Sequence, residues 1–294
     1  MANSKSNGRW TDRYFTSADG VRLHYRDYDG PRDQPPILCI PGLTRNARDF
    51  ELLAERHAGD WRVLALDLRG RGLSDFDPQP ERYAPHFYLV DIIKLLDQLG
   101  IADAVFVGTS LGGIVTMLVA ATEPERIAGA LINDVGPDID REGLEFIGTY
   151  VGKDERFADW GAAAAELGRR NARRFPTYSP SDWEGMARRW CVEDGGKVRF
   201  DYDMRIADNF QRALDAQPVD AWPMLEGLKG KPVTIVRGAT SDLLSVEAAE
   251  RMQRELPDAE LVVVPDASHA PSLDEPESVA ALDRLLERVR AAEG

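Results

Sequence analysis

A serine hydroxyl is a weak nucleophile at neutral pH. It becomes useful only with a base within hydrogen-bond reach and an acid that orients the base. One serine in this chain sits where that activation is worth seeking. In Gly108-Thr109-Ser110-Leu111-Gly112-Gly113, Ser110 has a glycine two residues to either side. The apolar run Val105-Phe106-Val107 precedes it and an apolar helical pattern begins at Leu111. Gly-x-Ser-x-Gly between a strand and a helix forces a sharp turn with the hydroxyl at its tip. Gly108 and Gly112 are required because a Cβ there would collide with the neighbouring strand or helix. The nucleophile reading is preferred to that of an ordinary glycine-rich turn because strand, turn and helix all stand in order.

The base must be one of four histidines. His24 lies in a strand pattern, His57 in a helix pattern and His86 at the approach to a helix. Each reads as structural. His269 alone lies in a loop just past an apolar strand, Leu261–Val264, and loops at the C-terminal ends of parallel strands line the crevice of an open α/β sheet. Ser110 follows its own strand in the same sense, so the two reach one edge. Two aspartates compete to orient His269. Asp242 follows the strand Val233–Val236 through Arg237-Gly238-Ala239-Thr240-Ser241, and Asp134 ends the strand Ile127–Asn133 directly. Asp266, nearer to His269 in sequence, reads as a turn residue. Donors for a developing oxyanion are expected from two backbone N–H groups. One is that of Leu111, after the nucleophile. The other is that of Leu43, where Gly42 lets the chain come close.

These residues need a frame to hold them. Asp12–Ser17 and Val21–Tyr28 read as two strands joined by the tight-turn signal Ala18-Asp19-Gly20, an antiparallel hairpin at a sheet edge. Pro36–Ile40 and Trp61–Leu66 read as buried strands, with a helix over Ala47–His57 between them. In the glycine-rich stretch Asp67–Asp75, Arg69 and Arg71 lack P-loop spacing, so a turn held by Asp67 and Arg69 side chains is preferred to phosphate binding. Phe87–Leu99 reads as a helix that Gly100 ends. From about Pro137 to Trp222 the strands stop and helix-like segments such as Leu144–Tyr150 and Trp160–Arg174 take over, separated by Pro176, Pro180 and Gly195-Gly196. The alternation then resumes through Val246–Leu256, Glu260–Val264 and Pro276–Arg290. The expected fold class is α/β, a mostly parallel doubly wound sheet with an inserted helical cap. The parts are a core over 1–136, a cap over 137–222 and the rest of the core over 223–294.

Composition limits the partners. The 294 residues are 43% hydrophobic and 29% charged, with a formal net charge of −14. That is the make-up of a globular protein with a core of ordinary size. Its acidic surface opposes nucleic acid and anionic membranes. Two cysteines, Cys39 and Cys191, make neither a disulfide framework nor a metal cluster, and no cofactor or metal is expected. Residues 1–11 read as a flexible polar lead-in without the apolar region of a signal peptide, and no stretch reaches the roughly 18 apolar residues of a membrane helix. A cytoplasmic protein acting on a small molecule is the expectation.

Taken together, several stretches give a family resemblance. They are Pro41-Gly42-Leu43, Asp67–Ser74, Gly108–Gly113, Arg237-Gly238 through Asp242, and Ser268-His269 before Asp274-Glu275-Pro276. With these the chain resembles the α/β-hydrolase superfamily over nearly its whole length, and most of all its capped bacterial esterase, lactonase and C–C hydrolase branch. One departure is Pro41, where many relatives have histidine before the glycine. The resemblance implies a Ser110, Asp242, His269 triad, since the chain order serine, aspartate, histidine is that of the superfamily, with Asp134 as the alternative acid. It also prunes reactions. A serine at 110 differs from the aspartate nucleophile of the dehalogenases and epoxide hydrolases. Leu111 replaces the tryptophan usual in proline iminopeptidases. Ala270-Pro271 stand where aromatic C–C hydrolases often place a tryptophan. Hydrolysis of a carboxylic ester or lactone through an acyl-enzyme on Ser110 stands first, C–C hydrolysis second, and a non-catalytic receptor or scaffold third.

Substrate choice is expected to lie in the cap. Trp160, Trp183, Trp190 and Trp222 there suggest an apolar or aromatic pocket. Arg188-Arg189 could meet a substrate carboxylate, but a solvated helix face is the preferred reading.

Overall fold

Strong alternation and short apolar runs build a sheet covered on both sides. The structure, a computed structural model, describes residues 10–217 and 219–293. Most of the lead-in expected over residues 1–11 lies outside them. Strands β1 (Thr11–Thr16) and β2 (Arg22–Tyr28) form the expected antiparallel hairpin. Strand β3 (Ile37–Ile40), helix α1 (Glu51–His57), β4 (Val63–Asp67), helix α2 (Pro85–Leu99), β5 (Ala104–Thr109), helix α3 (Leu111–Thr122) and β6 (Ile127–Asn133) follow. Gly100 ends α2 in the left-handed conformation, φ 65°, where glycine carries no Cβ penalty.

After β6 the chain leaves this pattern. Helices α4 (Arg141–Gly148), α5 (Trp160–Asn171), α6 (Pro180–Trp190) and α7 (Ile206–Asp215) fill most of the inserted segment. The expectation that strands stop there is corrected by β7 (Arg156–Phe157), β8 (Cys191–Asp194) and β9 (Lys197–Phe200), a three-stranded antiparallel sheet in the order β7-β9-β8. Gly195-Gly196, read as a helix separator, is its hairpin turn, with both residues at positive φ (59° and 75°). Tight hairpins favour two such residues because their twist matches that of the strands. The segment has its own apolar cluster, including Ala163, Leu167, Phe175, Met186 and Val198, with Trp160 and Trp183 against it.

Strand β10 (Val233–Gly238), helix α8 (Val246–Glu255), β11 (Glu260–Val264) and helix α9 (Pro276–Glu293) complete the chain. The main sheet has the order β1-β2-β4-β3-β5-β6-β10-β11. It is antiparallel from β1 to β4 and parallel from β4 onward. Alternate strand residues feed opposite faces. Leu38, Ile40, Leu64, Phe106, Ile132 and Ile235 pack with α2, α3 and α8. Ile37, Cys39, Val63, Val105, Val107, Leu131 and Val236 pack with α1 and α9 on the other face. Each large side chain buried this way contributes roughly 1.5–3 kcal/mol. Both cysteines are free and buried. Among the described residues no helix is long and apolar enough to cross a membrane, and no group of three or more His, Cys, Asp and Glu is placed to hold a metal ion.

Candidate active site

The turn at Ser110 is as tight as the glycines require. Ser110 has φ 53° and ψ −114°, a conformation a side-chain-bearing residue holds only when its surroundings impose it. They do so here by close approach. A Cβ on Gly108 would lie 2.4 Å from the Gly112 carbonyl oxygen, and one on Gly112 would lie 2.0 Å from that of Ile40. The Ser110 N–H donates to the Asn133 carbonyl (2.9 Å), tying the turn to the end of β6.

The loop after β11 brings His269 over this turn. His269 Nε2 is 2.9 Å from Ser110 Oγ. Its Nδ1 is 2.8 Å from Oδ2 of Asp134. An ionised carboxylate only accepts, so Nδ1 carries the proton and Nε2 is free to accept from the serine hydroxyl. Asp134 is fully buried and held on both oxygens. The Gly238 N–H donates to Oδ1 (2.8 Å) and the Ser241 hydroxyl to Oδ2 (2.7 Å). These donors hold it aimed at the imidazole.

The favoured acid is therefore corrected. Asp242 does not reach His269; its carboxylate pairs with Arg174 of the inserted segment. The reason lies in strand order. β6 is the immediate neighbour of β5, which ends at Ser110, and β10 lies one strand farther out. Asp134, at φ 57°, turns back from the end of β6 toward the serine. Chain order could not separate the two, because both aspartates fall between Ser110 and His269.

The loop carrying Leu43 runs beside the serine. A Cβ on Gly42 would lie 3.7 Å from Ser110 Cβ and 3.4 Å from Arg45 Cγ. Arg71, missed by sequence reasoning, supports this loop. It is fully buried and donates from Nε to the Leu43 carbonyl (2.9 Å) and from a terminal nitrogen to Tyr88 Oη (2.9 Å). Arg69 is buried among Asp19, Asp77 and Asp91. Asp67 accepts from the N–H groups of Ala47 (2.7 Å) and Leu73 (2.9 Å) and pairs with His24 Nδ1 at 2.7 Å. The arginines and His24 of this region are thus structural. Leu111, the first residue of α3, follows Ser110.

A cavity of about 500 Å³ opens in front of Ser110 and His269, lined by Leu43, Phe146, Tyr150, Phe175, Tyr178 and Trp190 among others. The expectation from the four tryptophans is corrected: Trp190 lines the cavity, whereas Trp160 and Trp183 pack in the segment's own cluster and Trp222 against the main core. Arg45, Arg174 and Arg189 line the cavity too. The solvated reading of Arg188-Arg189 is corrected for one of the two. Arg188 is exposed and lies over the Trp160 ring, 4.0 Å from its centroid, whereas Arg189 faces the cavity. Consecutive helical residues point about 100° apart, so the two cannot share a face. Asp274 also lines the cavity, and burial pushes its carboxyl up to about 6.

Residues 37–282 match the model of the alpha/beta hydrolase family. The chain belongs to that family. A 3-hydroxybutyrate-oligomer hydrolase of Cupriavidus necator is 32% identical over 267 residues, covering 88% of this chain and 90% of that protein. A 2-(acetamidomethylene)succinate hydrolase of Mesorhizobium japonicum is 34% identical over 240 residues, 80% of this chain and 81% of its own. The crystal structure of an alpha/beta hydrolase from Novosphingobium aromaticivorans superposes with a TM-score of 0.91 at 50% identity, covering 95% of this chain and 99% of that one. The fold is therefore that of an alpha/beta hydrolase, and the chain is a hydrolase by family.

Proposed function

We propose that this alpha/beta hydrolase cleaves a small-molecule carboxylic ester or lactone through an acyl-enzyme on Ser110. The observation that carries this reading is the unbroken hydrogen-bond chain Ser110–His269–Asp134 facing the cavity. In this mechanism His269 Nε2 takes the hydroxyl proton as Ser110 Oγ attacks the ester carbonyl carbon. Buried Asp134 holds the imidazole and stabilises the imidazolium that forms. The N–H groups of Leu43 and Leu111 receive the oxyanion. Collapse of the tetrahedral adduct breaks the carbon–oxygen bond, and His269 returns the proton to the departing alcohol. Water, deprotonated by the same nitrogen, then releases the acid and restores Ser110. The segment 137–222 acts as the cap that closes the pocket and selects the substrate, and Asp242 serves that cap through Arg174 rather than the chemistry.

C–C hydrolysis of a ring-cleavage product is the second reading, favoured by the arginines that face the cavity. The two share the nucleophile, so one experiment tests both. A serine-reactive phosphonate is expected to add one equivalent to the wild-type protein by mass and none to Ser110→Ala. Equal labelling of the two proteins overturns the assignment. A panel of esters, lactones and vinylogous diketone acids then separates the two readings.

A further inference from the structure

The cavity before Ser110 holds an excess of positive side chains, and most of their charge is already matched. Arg169 and Arg170 are tied to Glu166, and Arg170 also to Glu155. Arg174 is tied to Asp242. Lys153 is exposed. Arg45 and Arg189 complete the positive lining. Arg45 gives one terminal nitrogen to Asp49 (2.6 Å), while its Nε is buried with no hydrogen-bond partner among the described residues. For Arg189 no hydrogen bond or ion pair of the guanidinium is found among the described residues; Asp274 lines the same cavity and feels the Arg189 charge.

The two are held near each other by separate means. Arg45 lies over the Trp190 ring, 3.5 Å from its centroid, so the residue beside Arg189 fixes the plane of the other guanidinium. The Arg189 carbonyl accepts from Asn46 Nδ2 (3.1 Å) and Arg48 Nε (3.0 Å), the residues that follow Arg45. The stem of Arg45 and Ser110 flank the same glycine, Gly42. Burial lowers the Arg45 pKa to about 10, with the charge of Asp49 acting against it and that of Arg189 in the same direction. Beside its single ion pair with Asp49, Arg45 keeps a buried donor without a partner, and the Arg189 guanidinium has no hydrogen bond among the described residues, so an anion between them takes up donors that nothing else uses. A planar carboxylate fits guanidinium donors in pairs.

We propose that Arg45 and Arg189 form a carboxylate subsite of this cavity, so that the substrate is an ester carrying a free carboxylate. The inference rests on the ester-hydrolase reading of Ser110 and names its substrate class. The carboxylate belongs to either the acyl part or the alcohol part, and two substrate pairs distinguish these. One is mono-4-nitrophenyl glutarate against its methyl ester. The other is 4-acetoxybenzoate against its methyl ester. In one pair, wild-type kcat/KM for the carboxylate is expected to exceed that of the neutral partner at least tenfold. Arg189→Met is expected to cut that ratio at least tenfold, mainly through KM. Arg189→Lys keeps part of the ratio, and Arg188→Met leaves it intact. Calorimetry reads the subsite without turnover: glutarate binds Ser110→Ala protein, and binding weakens at least tenfold when Arg189→Met is added. Ratios near one in both pairs, or glutarate binding that ignores Arg189, overturn the subsite while leaving the ester reading in place. Arg189-dependent glutarate binding with no ester turned over keeps the subsite and sinks the ester reading.

Discussion

Asp134 and Asp242 each follow a parallel strand, and only one of them touches His269. The contrast makes a sharp experiment at the scale of single residues. Asp134→Asn keeps the shape but offers the imidazole an amide in place of a carboxylate. The tautomer is then wrong and the imidazolium loses its counter-charge. Under the proposed mechanism kcat on 4-nitrophenyl butyrate falls about 10³- to 10⁴-fold. Asp242→Asn removes only the partner of Arg174, so kcat is expected within about threefold of wild type, as for other ion pairs away from the reacting atoms. The reverse ranking would overturn the role given to Asp134. The pairing of Ser110 with His269 was legible because each sits in a local pattern: glycines at fixed offsets, and a loop after a strand. The carboxylate partner of His269 was not, because two aspartates had the same local pattern and differed only in which strand lay beside β5.

At the scale of elements, the hairpin β1–β2 is tied to the loop after β4 by Asp19, which Arg69 and Arg82 both contact. The hydrogen bond from Arg69 holds the Asp19 carboxyl down at about 2, against an ordinary 3.8. A folded-state pKa below the unfolded one gives stability above the unfolded value that is lost as pH falls through the folded one. Asp19→Asn is therefore expected to cost about 1–2 kcal/mol at neutral pH. The gap from wild type should close between about pH 4 and pH 2, followed by denaturant unfolding across that range. A gap that stays constant down to pH 2 contradicts the assignment. The hairpin itself was legible from Ala18-Asp19-Gly20. Its tie to Arg69 was not, since the two are fifty positions apart. The β8–β9 hairpin was missed for a different reason. Gly195-Gly196 breaks a helix as well as it turns a hairpin, and the strands it joins are only four residues each.

Across the whole molecule, the inserted segment is fastened to the main sheet at the loop after β3. Arg48 reaches from that loop to Asp201, 2.8 Å away, and to the carbonyls of Arg189 and Cys191. Burial pushes the Asp201 carboxyl up, with Arg48 acting against it. Arg48→Ala leaves that carboxylate buried and unpaired, which costs roughly 3 kcal/mol in comparable sites. A clear fall in Tm is expected, with part of it recovered in the Arg48→Ala/Asp201→Asn double variant because the stranded charge is gone. No recovery in the double variant would show that packing, not charge, makes the joint. The same joint sets the backbone of Arg189 beside Arg45, so the shape of the pocket and the fastening of the segment are one feature.

The sequence by itself determined the alternating α/β pattern, the turn at Ser110 and the histidine that pairs with it. Each rests on interactions within about a dozen residues: period-two burial, glycine at sterically closed positions, a loop after a strand. Only the tertiary structure decided which aspartate faces His269, which arginine faces the cavity and what supports the Leu43 loop. Those outcomes depend on strand order and on contacts between residues far apart in the chain, as between His269 and Asp134 or Arg48 and Asp201. Local pattern cannot rank such partners, because a charged side chain takes whichever counter-charge the fold brings within reach.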